Sequence, residues 1–124
     1  MTSSRWVIDP EDARAVAFGM MLDVEARRLV VRLSGDADAT VADALDQFMR
    51  DAIVRDVDRR DVEVVLGEVT YFDVRVVGVL LGIAHELRID GRSMAFVAPS
   101  PSASRMLGLL GLDRILDIRQ KQVS

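Results

Sequence analysis

The stretch Val62-Glu63-Val64-Val65-Leu66-Gly67-Glu68-Val69-Thr70-Tyr71-Phe72-Asp73-Val74-Arg75-Val76-Val77-Gly78-Val79-Leu80 carries two hydrophobic periods joined end to end. Val62, Val64, Val65 and Leu66 form a short β-branched run, the pattern of a strand buried in the middle of a sheet, and place that strand at 61–66. From Val76 the spacing changes: Val76, Val77, Leu80, Leu81, Ala84 and Leu87 recur at the interval of a helix. Gly91 follows just past its end, where a left-handed cap is favoured. Residues 67–73 between the two read as a loop. Asp73 closes that loop as an N-cap, whose carboxylate accepts orphan backbone N–H groups and complements the helix dipole, worth about 1 kcal/mol. A strand that leads into a helix amino terminus is a unit of α/β domains, and the donors exposed there suit an anionic group or a partner's side chain.

Upstream, residues 15–25 and 28–34 are apolar-rich runs parted by Glu25-Ala26-Arg27, and they read as a β-hairpin ending at Gly35. Thr40 with Asp43 resembles a capping box, and Val41, Ala44, Leu45, Phe48, Ala52 and Ile53 predict an amphipathic helix over 40–57. Its outer face carries Asp46 with Arg50 and Asp51 with Arg55, i, i+4 pairs of a solvated surface worth roughly 0.2 to 0.5 kcal/mol each. Downstream, 94–98 reads as a strand, Pro99-Ser100-Pro101 breaks the chain, and a short helix near 102–110 precedes a turn at Gly111 and an apolar tail through Ile118. Strands separated by helices lie parallel through right-handed crossovers. The expectation is a single α/β domain, a mixed sheet of roughly four to five strands packed by roughly three to four helices. Residues 1–14 read as an extension able to add one short strand around Trp6-Val7-Ile8, 15–119 as the domain and 120–124 as a frayed tail.

At 124 residues the chain is the size of one domain, and half its residues are apolar with only five per cent aromatic, so an aliphatic core is expected. A net charge of -4 argues against a nucleic-acid partner. No basic start or apolar run of an export signal opens the sequence, and the apolar stretch 76–84 is about half of what a membrane-spanning helix needs. A cytoplasmic chain with no membrane partner is expected. There is no cysteine and a single histidine, His85, so no metal site is expected. No Gly-x-Ser-x-Gly elbow, phosphate-cradling Gly-x-x-x-x-Gly-Lys or dinucleotide-type Gly-x-Gly-x-x-Gly occurs. Neither a cofactor nor an enzyme activity is expected, and His85 reads as an exposed helix residue.

Leu33-Ser34-Gly35-Asp36-Ala37-Asp38-Ala39-Thr40 is similar to the strand-Gly-x-x-Asp start of STAS domains. Val69-Thr70-Tyr71-Phe72-Asp73 resembles that family's loop before its second helix, 91–97 its Gly-x-x-hydrophobic strand, and 106–116 its closing segment. The resemblance, to the anti-sigma factor antagonist type, covers roughly residues 18–118 and keeps order and spacing throughout. It implies a non-catalytic regulator of sigma-factor-dependent transcription, whose partner is an anti-sigma factor of serine-kinase type or another regulatory protein. The partner-binding residues it implies are Asp38, Tyr71, Asp73, Val74, Arg75 and Val76. In the family the loop usually reads Asp-Ser-Ser-Gly and its first serine is phosphorylated. Here Asp73 matches, Val74 stands at the phosphoacceptor position, Val76 at the glycine and Val65 at an aspartate common before the loop. Valine has no hydroxyl, so no phosphorylation is expected at Val74. The alternative is a scaffold or homo-oligomer subunit, with Val74 and Val76 as an exposed apolar surface seeking cover.

Overall fold

The computed structural model describes residues 6–7 and 18–120. Its sheet holds six strands side by side in chain order: β1 (Trp6–Val7), β2 (Phe18–Val24), β3 (Arg28–Ala37), β4 (Asp61–Phe72), β5 (Met94–Val97) and β6 (Ile118–Arg119). The β1–β2 and β2–β3 pairs are antiparallel, and β3 to β6 run parallel, so the sheet is mixed as expected. The two outermost strands have two residues each. Three α-helices connect or follow the parallel strands: α1 (Ala42–Arg55), α2 (Val74–Ile89) and α3 (Pro101–Leu109).

Alternation along the strands divides the buried residues between two faces. Leu29, Val31 and Leu33 of β3 with Val62, Val64 and Leu66 of β4 meet Leu45 and Met49 of α1, Val77 and Leu80 of α2 and Leu107 of α3 in one large core. Val30, Val65, Ala95 and Val97 form a second, smaller cluster on the opposite face, to which none of α1, α2 and α3 contributes a buried residue. Burial on both faces explains why residues 62–66 of β4 are buried without alternation.

The helix ends follow their local chemistry. Asp73 caps α2, and Gly91 beyond its far end takes φ 77, the left-handed conformation a side chain resists. Arg92 N–H then donates to Leu87 O at 2.8 Å, closing the last turn. Ser100 caps α3, with Pro101 in the first turn. The α1 entry differs from the expected capping box. Asp38, and not Thr40, accepts the first amide, the chain passes through a 3-10 turn at Ala39–Val41, and α1 starts at Ala42 with no side-chain cap. Thr40 is already inside that turn and donates its hydroxyl to Asp38.

The central difference from the sequence expectation lies at 67–73. The loop expected there is strand through Phe72, and β3 does not end at Gly35 but continues to Ala37. Ser34 pairs with Glu68 and Ala37 with Phe72, through two register shifts that absorb extra residues on β4. Val69 and Phe72 turn into the core while Glu68, Thr70 and Tyr71 face outward. At Gly67 a Cβ would stand 3.1 Å from the Ala98 carbonyl oxygen, so a glycine eases the close passage of the two chains. Residues 15–17, read as the start of the hairpin, lie outside the described residues.

Candidate functional site

The lengthened β3 and β4 deliver their carboxyl ends to the amino terminus of α2. Asp73 N–H donates to Ala37 O at 2.9 Å, locking the start of the helix to the end of β3. One Asp73 carboxylate oxygen accepts from Arg75 N–H at 2.8 Å, which is the expected N-cap. Its other oxygen faces the Tyr71 hydroxyl at 3.3 Å. The Asp73 charge is the main reason the Tyr71 phenol is pushed above its ordinary value, followed by desolvation, the hydrogen bond and the charge of Asp38. Asp38, Tyr71 and Asp73 therefore share one electrostatic neighbourhood. Asp38 also holds Thr40 N–H at 2.9 Å, which fixes the turn leading to α1.

Val74 opens α2 with 53% of its surface exposed, and Arg75 beside it is exposed as well. The guanidinium of Arg75 has no ion pair with the described residues. Val76 does not belong to this face. It is fully buried in the core with Val77 and Leu80, because one step along the helix rotates its side chain from solvent to sheet. The expected exposed pair of Val74 and Val76 is thus a single exposed valine.

Sequence reading missed the contact between Asp36 and Thr70, whose hydroxyl donates to the Asp36 carboxylate at 2.5 Å across β3 and β4. Its signal was there in outline: in 67–72 only Val69 and Phe72 are strongly apolar at buried positions, with polar residues between them. His85 is exposed on α2, away from this face. Among the described residues no cluster of acidic or histidine side chains could hold a metal ion, and no helix is long and apolar enough to cross a membrane. A groove of about 540 Å³ lies elsewhere, between α1 and the β2–β3 hairpin, lined in part by Leu22, Phe48, Arg55 and Arg60. The face at the start of α2 is an open surface made of charged, aromatic and aliphatic tips, geometry that suits a protein surface better than a small substrate.

A mixed sheet packed by α1, α2 and α3, with a capped helix start exposed beside the ends of its parallel strands, defines an α/β domain. The chain belongs to the STAS domain family: the model described as "Mlab, STAS domain" matches residues 20–118. It is 30% identical over 109 residues to the anti-sigma F factor antagonist of Paenibacillus polymyxa, covering 85% of this chain and 91% of that protein. Its fold matches the crystal structure of an anti-sigma factor antagonist from Mycobacterium paratuberculosis, with TM-score 0.73 at 20% identity over 91% of this chain and 90% of the other. The unphosphorylated form of the anti-sigma factor antagonist SpoIIAA matches with TM-score 0.68 at 21% identity, over 80% of this chain and 86% of that one.

Proposed function

We propose that this chain is a non-catalytic protein-binding regulator that contacts an anti-sigma factor through the face formed by Asp38, Tyr71, Asp73, Val74 and Arg75. The observation that carries this reading is the exposed start of α2, where Val74 and Arg75, which has no ion pair with the described residues, stand beside the Asp73 cap. The names of its relatives support the partner class. With valine at position 74, the association runs without a phosphate switch at that position. The alternative of a self-associating subunit loses half of its apolar surface, since Val76 is buried.

The test is titration of the purified chain against a purified anti-sigma factor of the same organism, with Arg75→Glu as control. Charge inversion on an exposed helix position weakens binding about tenfold or more while leaving the circular dichroism spectrum unchanged. Equal affinity of the two proteins removes Arg75 from the face. Failure of the unmodified chain to bind any such factor, together with a mass that rises with concentration in light scattering, transfers the assignment to the scaffold.

A further inference from the structure

Glu63, the third residue of β4, sits on the sheet face opposite α1, α2 and α3, with its side chain 5% exposed. One of its oxygens accepts from two guanidinium groups, Arg28 of β3 at 2.8 Å and Arg119 of β6 at 3.1 Å. A carboxylate so buried is costly unless cations stay beside it, which makes both arginines strongly held partners. Arg28 has a further anchor in Glu25 at 2.9 Å and lies within a ten-residue strand. Arg119 lies on a strand of two residues, the last described element of the chain. Beside its short parallel ladder with β5, the segment is tied by Phe96 N–H to Asp117 O at 2.8 Å and Ala98 N–H to Arg119 O at 2.6 Å.

We propose that β6 is a detachable strap over the outer edge of β5, fastened across the sheet by the buried Glu63 carboxylate through Arg119. A strand of two residues has a short ladder, and its Ile118 is only partly buried against the core, so the long-range ion pair sets how often the strap lifts. When it lifts, the Phe96 and Ala98 amides lose their acceptors and the β5 edge becomes a row of unpaired groups, the kind of edge another strand can join. Asp117, which holds the other arm of Arg119 at 3.0 Å, moves with the strap and so does not fasten it to the sheet.

Amide hydrogen exchange on the intact chain reads the fastening directly. Arg119→Ala, at a side chain 42% exposed, leaves the Arg28 pair with Glu63 in place and should fold. Loss of a hydrogen bond to a charged group accelerates exchange of the Phe96 and Ala98 amides by about tenfold or more, while amides of the β3–β4 ladder keep their rates. Glu63→Gln, which preserves shape and removes charge, should accelerate the same two amides, and adding Arg119→Ala to it should accelerate them little further. Unchanged rates at Phe96 and Ala98 in Arg119→Ala overturn the proposal. So does acceleration spread evenly over the whole sheet, which marks a loss of overall stability and no local strap.

Discussion

The Tyr71 hydroxyl and the Asp73 carboxylate meet at 3.3 Å, and the same carboxylate caps α2 through the Arg75 amide at 2.8 Å. One aspartate thus orders the helix start and sets the charge felt by the neighbouring phenol. The first function is a property of any good N-cap, whereas the second exists only because β4 carries Tyr71 to the very edge of the helix.

Asp73→Ala should cost about 1 kcal/mol in chemical denaturation, and Asp73→Asn, which keeps an accepting oxygen, much less. The two variants differ from wild type in the same direction at Tyr71, the only tyrosine of the chain. Both remove the charge that raises its pKa, so tyrosinate forms at lower pH in an absorbance titration. The sign for stability follows: a phenol whose folded pKa is raised contributes stability that is lost as pH climbs from its unfolded toward its folded value.

Val74→Glu places a negative charge at the first residue of α2, a position where the helix dipole favours it. Thermal stability should be unchanged or higher by about 0.3 to 1 kcal/mol. On the proposed partner face the same charge adds to Asp38 and Asp73, and affinity for an anti-sigma factor should fall about tenfold, near 1.4 kcal/mol. Intact stability with intact binding would remove Val74 from the face.

Asp56 joins three parts of the chain. Its carboxylate, 3% exposed, is held by the Arg60 guanidinium and backbone amide and by Arg92 at 3.2 Å, so the end of α1 is tied to the start of β4 and to the turn after α2. Asp56→Ala takes the carboxylate away from the buried Arg92 while Arg60 keeps its pair with Asp58 at 2.9 Å, and should cost roughly 3 kcal/mol in urea unfolding.

Arg50 spans the two helices, reaching Asp46 at 2.8 Å and Glu86 of α2 at 2.6 Å. Its hydrogen bond, more than its bare charge, holds the Glu86 carboxyl below the ordinary glutamate range. Carbon-detected NMR should find Glu86 titrating low in wild type and returning upward in Arg50→Ala. A depressed carboxyl contributes stability above its unfolded pKa that disappears as pH falls through the folded value, so the pair weakens on acidification. Its exposure makes the effect small and sensitive to salt.

Much of this protein was legible from local patterns. The β-branched run of 62–66, the helical spacing from Val76, the Asp73 cap and the glycine at 91 each express a preference of a few neighbouring residues, and each stands in the structure. Such preferences need no distant partner, so the sequence of strands and helices and the class of the fold followed from them. What lay beyond reach depended on residues far apart in the chain. Residues 67–72 became strand because 34–37 came alongside to pair with them, and Val76 left the candidate face because the helix presses that side onto the sheet. The Asp36 bond to Thr70 and the clasp of Glu63 by Arg28 and Arg119 join positions 34, 35 and 56 residues apart. No local period marks a pair at that separation. Only closure of the sheet brings the charges together, and the cost of burying one without the other then decides which arginines it keeps.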